Sequence, residues 1–98
     1  MSALRFEWDE QKDVENKRKH RISFWEAETV FSDEWALFME DPEHSVSEDR
    51  YLLLGLSSAL HLLVVSHCYR REDEMVRIIS ARRATRRESA DYYRRWRP

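Results

Sequence analysis

Three apolar stretches, residues 50–56, 61–69 and 75–82, follow one another with only short polar connections between them. Connections this short cannot carry the crossover that parallel neighbours need, so the stretches are predicted to pair as an antiparallel meander. Their near-continuous apolar content predicts burial on both faces for the middle strands. Trp35 to Met39 reads as a preceding strand, stopped by Glu40-Asp41-Pro42 because proline cannot continue a ladder. Residues 3–7 read as a short edge strand, residues 43–48 as a polar loop and Arg71-Glu72-Asp73-Glu74 as a turn.

Three helices fit between and after these strands. Asp9 is a predicted N-cap for a polar helix ending near His20, with Glu10 and Asp13 at its positive end and Lys17, Arg18, Lys19 and His20 at its negative end. Val14 is the only aliphatic residue in its interior, so few apolar contacts can hold it. Ser23-Phe24-Trp25-Glu26 has the form of a capping box, and Phe24, Ala27, Val30 and Phe31 recur at helical spacing, predicting a helix over 24–32. Thr85-Arg86-Arg87-Glu88 is a second such box, opening a helix to about Arg97 with Tyr92, Tyr93 and Trp96 as its packing stripe. The predicted class is α+β: a strand, two helices, a four-stranded antiparallel meander and a C-terminal helix.

With 98 residues and no repeat or linker, residues 1–98 read as one unit. The longest apolar runs, Leu52 to Leu54 and Leu62 to Val65, are far too short to cross a bilayer, and the first residues lack the apolar region of a secretory signal, so a cytoplasmic location and no membrane partner are expected. One cysteine, Cys68, excludes an internal disulfide and an all-cysteine zinc site. One glycine, Gly55, excludes a glycine-rich phosphate loop. The net charge of −2 hides an asymmetry: residues 1–49 carry −8 and residues 50–98 carry +6, with every basic residue of the second half an arginine. Arginine presents a fork of donors that matches phosphate or carboxylate oxygens, so the second half is predicted to meet a phosphate-bearing or acidic partner.

The candidate residues follow from this charge pattern. Arg82, Arg83, Arg86 and Arg87 gather around the N-terminus of the last helix, where free N–H groups also favour an anion. Arg77 lies inside an apolar strand and needs a partner, either a first-half carboxylate such as Glu7 or Asp9, or a bound phosphate. Lys19-His20 couples a fixed cation to a group that titrates near neutral pH, a pair able to move a proton and to stabilise a phosphorane. The four histidines (His20, His44, His61 and His67) show no zinc-helix spacing, so no metal and no cofactor is expected. His67, in mid-strand, reads either as a partly buried polar residue or as a phosphate contact. Trp25, Trp35, Tyr93 and Trp96 are more aromatic surface than so small a domain hides, which predicts a protein interface.

Taken together, these segments resemble the BrnT family of type II toxin–antitoxin toxins, small ribonucleases with a RelE-like fold. Phe6-Glu7-Trp8-Asp9, Lys12, Asn16, Lys19-His20, Ser23-Phe24 and Glu26-Ala27 resemble the family's N-terminal signature. Arg77 to Glu88 without a break, with Tyr92 four residues on, resembles its C-terminal signature; Asp49-Arg50, His67 and Arg70 also fit. Arg21 stands where glycine is common, Cys68 replaces a usual threonine and Ser89 replaces an arginine. The resemblance implies metal-independent RNA cleavage that inhibits translation and growth. It also implies neutralisation by a BrnA-like antitoxin in a hetero-oligomeric complex, which reaches operator DNA through the antitoxin. On that reading Lys19, His20, Arg50, Arg77, Arg82 and Tyr92 form the catalytic set, and Arg83, Arg86, Arg87 and His67 bind RNA phosphates. The competing expectation is a non-catalytic antitoxin-binding, operator-regulating module that uses the same arginines.

Overall fold

Asp9 opens the first helix as expected: its carboxylate accepts the N–H groups of Gln11 and Lys12 at 2.8 and 3.2 Å, ahead of helix α1 (Glu10–His20). The computed structural model describes residues 4–41, 49–70 and 74–96. Strand β1 (Arg5–Glu7) precedes α1. Helix α2 (Phe24–Thr29) follows, continued by one 3-10 turn (Val30–Ser32). Strands β2 (Leu37–Glu40), β3 (Tyr51–Leu56), β4 (Leu62–Arg70) and β5 (Met75–Arg83) then lead to helix α3 (Arg86–Arg94). The order and class are those expected. The 43–48 loop, Arg71 to Asp73, residue 3 and Arg97 fall outside the described residues.

The sheet runs β1-β5-β4-β3-β2. Strands β2 to β5 form the antiparallel meander, and β1 lies at one edge, parallel to β5 with Phe6 opposite Val76. Strand β2 begins two residues later than the Trp35 start predicted. Asp33 accounts for this: its carboxylate accepts Trp35 N–H at 3.0 Å and its carbonyl accepts Ala36 N–H at 3.1 Å, which commits residues 33–36 to a turn. Gly55 lies where β3 passes under that turn. A Cβ there would meet Ala36, Asp33 and Val30 atoms at 3.0 Å each, closer than normal contact.

The helices cover the two faces of the sheet unequally. Ile22, Phe24, Ala27 and Val30 pack on Leu53, Leu63, Val65, Val76, Ile78 and Ala81, forming the larger core. On the other face Tyr92 of α3 covers only Leu54 and Val64, with Leu52, Leu56, Leu62 and Ala84 beside them. Among the described residues no helix covers the rest of that face.

Helix α1 is held by polar groups. Val14 is half exposed, while Asp13 and Asn16 are buried. Asp13 accepts Phe24 N–H at 2.9 Å, and Asn16 donates to the carbonyls of Ile22 and Ala81, both at 2.9 Å, while accepting Ala81 N–H at 3.1 Å. The helix ends at Arg21, whose φ of 63° and ψ of 26° lie in the left-handed region, with its N–H on the Lys17 carbonyl at 2.9 Å. This is the closing geometry that favours glycine, so the arginine keeps the turn at a steric cost. Among the described residues no helix is long and apolar enough to cross a membrane.

Candidate functional site

Side chains alternate along a strand, so the register decides which of them share a face. Leu54, Val64 and Arg82 lie abreast across β3, β4 and β5. Leu52, Ser66 and Ser80 form the next row, and Cys68, Arg77 and Glu7 a third that crosses to β1. Tyr92 of α3 covers Leu54 and Val64 of the first row, while Arg82 at its end and the other two rows carry polar groups across the open face. A register shift at Ser66/His67, which leaves Ile79 without a partner in the ladder, keeps Arg77, Ser80 and Arg82 on this face despite their uneven spacing. Arg50, half-buried, stands at the entrance to β3, where its carbonyl accepts Asp41 N–H at 3.1 Å.

Two of these arginines arrive with carboxylate partners. Arg77 donates to Glu7 at 3.1 Å, the salt bridge that its place in an apolar strand required, and Arg70 Nε lies 3.8 Å from the same oxygen. Arg82 grips Glu88 through both terminal nitrogens at 2.8 and 3.0 Å. Glu88 also closes the box with Thr85: it accepts Thr85 N–H at 2.8 Å, and its own N–H donates to Thr85 Oγ1 at 3.1 Å. The Arg82 fork, with Thr85 adding to it, outweighs burial and pulls the Glu88 carboxyl down to about 2, while the same contact raises Arg82. A guanidinium offers five N–H donors, so both arginines keep donors for a phosphate.

Lys19 and His20 reach the same strand from the side. Helix α1 lies along the edge of β5, and an open depression of about 290 Å³ between them is lined by Lys12, Glu15, Asn16, Lys19, His20, Ile79 and Ser80. Lys19 is exposed and His20 half-buried. Ser80 belongs to the arginine face, so the cation–imidazole pair sits at the rim of that face.

Two predicted site residues are placed elsewhere. His67 has no exposed surface. Its Nδ1 lies 3.2 Å from the Val65 carbonyl and its Nε2 3.3 Å from the Tyr69 hydroxyl, with the Phe31 ring 4.9 Å away. Burial lowers its pKa, which favours the neutral ring. This corrects its expected role as a phosphate contact. Tyr92 is also fully buried, and its hydroxyl donates to Asp33 at 2.6 Å. Burial and that acceptor push the phenol up to about 12. Tyr92 therefore cannot stack on a base in this arrangement; it fastens α3 to the 33–36 turn. Asp33 takes Leu56 N–H at 2.9 Å on the same oxygen, and its hydrogen bonds outweigh burial and hold it below its usual value. No local signal marks Asp33 for this role, because Leu56 and Tyr92 lie 23 and 59 residues away along the chain.

The remaining arginines are exposed: Arg83 at the end of β5, and Arg86 and Arg87 in the first turn of α3. Arg83 neighbours Leu63 in the register and so points to the helix-covered face. Its Nη2 donates to His61 Nε2 at 3.2 Å. His61 Nδ1 lies 2.8 Å from Glu26, which also accepts the Ser57 hydroxyl at 2.6 Å. The expected box at Ser23 is therefore half formed: Ser23 accepts Glu26 N–H at 3.0 Å, but the Glu26 carboxylate turns to the β3–β4 connection. Among the described residues no three His, Cys, Asp or Glu side chains converge on a point able to hold a metal ion.

A family profile described as "Ribonuclease toxin, BrnT, of type II toxin-antitoxin system" matches residues 8–88. The chain belongs to the BrnT family. This is a family of ribonuclease toxins that act within type II toxin–antitoxin systems, so an RNA target and an antitoxin partner come with membership. The matched span takes in Lys19, His20, Arg50, Arg77, Arg82, Arg83, Arg86 and Arg87, and leaves Tyr92 outside it. Among solved structures, the Brucella abortus ribonuclease toxin BrnT, a crystal structure at 1.1 Å, aligns with a TM-score of 0.66 and 24% identity. The alignment covers 86% of this chain and 100% of that one, which supports the BrnT fold here. No curated protein sequence matches the chain.

Proposed function

We propose that this BrnT-family chain cleaves RNA without a metal ion on the open face of its sheet, and that its antitoxin neutralises it by covering that face. The observation that carries the reading is the register that sets Arg77 and Arg82 on one uncovered face, with Lys19 and His20 at its rim. Cleavage without a metal needs a base for the 2′-hydroxyl, an acid for the departing 5′-oxygen and fixed cations around the phosphorane. Lys19 and His20 supply the proton-handling groups. Arg77 and Arg82, steadied by Glu7 and Glu88, stabilise the phosphorane, and Arg50 holds the phosphate at the entrance to β3. Arg83, Arg86 and Arg87 bind flanking phosphates. His67 and Tyr92 act only by positioning the strands and α3. The outcome in the cell is arrest of translation and growth, in the cytoplasm.

The partner is a BrnA-like antitoxin in a hetero-oligomer, which supplies the contact with operator DNA. Acidic side chains of the antitoxin pair with the arginine face, and its apolar residues cover the Trp35, Tyr93 and Trp96 cluster, whose members are each at least 40% exposed. The decisive experiment is incubation of the purified chain, free of antitoxin, with RNA in EDTA. Cleavage that persists in EDTA supports the reading. An intact substrate, with antitoxin binding retained, favours a non-catalytic module that regulates its operator.

A further inference from the structure

Arg83 differs from the other arginines that approach the sheet. Arg77 bonds Glu7 and Arg82 bonds Glu88, but among the described residues Arg83 has no carboxylate partner. Its contact is a ring nitrogen, His61 Nε2, at 3.2 Å. An arginine can only donate, so Nε2 must carry the lone pair and Nδ1 the proton, which is given to Glu26 at 2.8 Å. The Glu26 side chain is 17% exposed and that of His61 34% exposed. The ring is thus anchored at Nδ1 through Glu26, which the Ser57 hydroxyl also bonds, while Nε2 of this partly exposed side chain meets an exposed guanidinium.

Charge counting says what such a site takes. With His61 neutral, Glu26 and Arg83 cancel. With His61 protonated, Nε2 becomes a second donor and the direct contact with Arg83 fails, because two donors and two positive charges then face each other. An anion oxygen between Nε2 and Nη2 satisfies both. Arg83 follows Arg82 directly in β5, and Arg86 and Arg87 lie just beyond, so a strand leaving the open face around the end of β5 meets this point.

We infer that His61 and Arg83 form a proton-linked subsite for an RNA phosphodiester flanking the cleavage point: a phosphate oxygen replaces the direct contact between them, and His61 takes up one proton from solvent as the phosphate binds. Glu26 of α2 and Arg83 of β5 bond the ring, and Ser57 of the β3–β4 connection positions it by donating its hydroxyl to Glu26 and accepting the His61 backbone N–H. The inference rests on RNA being the substrate, but not on the identity of the cleaving residues.

The test uses the full chain and an oligoribonucleotide fully 2′-O-methylated, which binds but cannot be cut. Uptake of one proton makes binding about tenfold tighter at pH 5.5 than at pH 7.5 in the wild-type chain. His61→Gln, at a partly exposed position, retains the fold by circular dichroism and removes most of that pH dependence. At pH 5.5 the double variant His61→Gln/Arg83→Gln binds no more weakly than Arg83→Gln, because one phosphate needs both groups. Undiminished pH dependence in His61→Gln, or additive losses in the double variant, overturns the subsite while leaving RNA binding in place. Failure of the wild-type chain to bind the oligonucleotide at either pH removes both readings.

Discussion

The side chain of Asn16 bonds the backbone of Ala81 twice, accepting its N–H at 3.1 Å and donating to its carbonyl at 2.9 Å. It completes the edge of β5 beyond the point where β1 stops, standing in for a neighbouring strand. The second N–H of the same amide reaches the Ile22 carbonyl at 2.9 Å, so one side chain ties α1, the turn after it and the sheet together. That tie fixes the helix end carrying Lys19 and His20 against the strand carrying Arg77 and Arg82.

Asn16→Asp should therefore be more damaging than its size change suggests. A carboxylate there faces two carbonyls with no proton to give, in a buried place. We expect destabilisation of about 3 kcal/mol or more, with about 2 kcal/mol for Asn16→Ala. Chemical denaturation of both variants decides: equal, small losses would show that α1 is held by something else.

Replacing Glu88 by Gln separates charge from capping, because Gln at the same position can still complete a capping box. The folded carboxyl titrates at about 2, below its ordinary value of 4.5. Its ion pair with Arg82 therefore stabilises the fold fully above pH 4.5, and this contribution is lost as pH falls from 4.5 to about 2. With Arg82 partly exposed, the expected loss for Glu88→Gln is about 1 kcal/mol at pH 7, shrinking toward zero near pH 2. A loss that stays constant across this range would contradict the assignment.

For Tyr92 the sign is opposite. Its folded pKa of about 12 exceeds the ordinary 10, so the stabilisation is complete below pH 10 and disappears as pH rises toward 12. Tyr92→Phe should cost about 1–2 kcal/mol near neutrality and leave RNA cleavage within about twofold once the protein is folded. A cleavage loss of about a hundredfold in a folded variant would return the hydroxyl to the catalytic set.

Lys19→Ala with His20→Ala should do the reverse. These residues contribute little packing, so thermal stability should hardly move, whereas cleavage should fall about a hundredfold and growth arrest on expression should be relieved. Full toxicity in a soluble double variant would remove them from proton transfer.

Arg21→Gly should stabilise the protein, since glycine adopts the left-handed backbone at the end of α1 without the steric penalty that arginine carries. The expected gain is about 0.5–1 kcal/mol, read as a higher denaturation midpoint at unchanged slope. No gain would mean that the arginine side chain compensates through a contact of its own.

Element order was legible along the chain because its signals are local. Asp9, Ser23 and Thr85 cap the helices that follow them, and the short connections force the meander. Arg77 was legible too: a charge in an apolar strand demands a partner, and Glu7 lies across the β1–β5 pairing. The site was legible in residue type more than in placement. His67 and Tyr92 carry groups able to do chemistry, yet rings and carboxylates from distant segments enclose both. Glu26 satisfied a local pattern and was drawn instead to Ser57 and His61, more than thirty residues away.

Composition, capping residues and strand spacing by themselves determined an α+β chain with an acidic first half and an arginine-rich second half, since each depends on neighbours within a turn or a hairpin. Tertiary structure alone decided which face each arginine occupies. A one-residue shift at Ser66/His67 alters which side chains share a face, and no local signal announces it. Burial was decided at the same level, because whether a histidine or tyrosine meets solvent depends on segments that pack over it from elsewhere in the chain. The separation of Arg82, on the open face, from Arg83, beside His61, follows from the alternation of one strand once its neighbours have fixed its register.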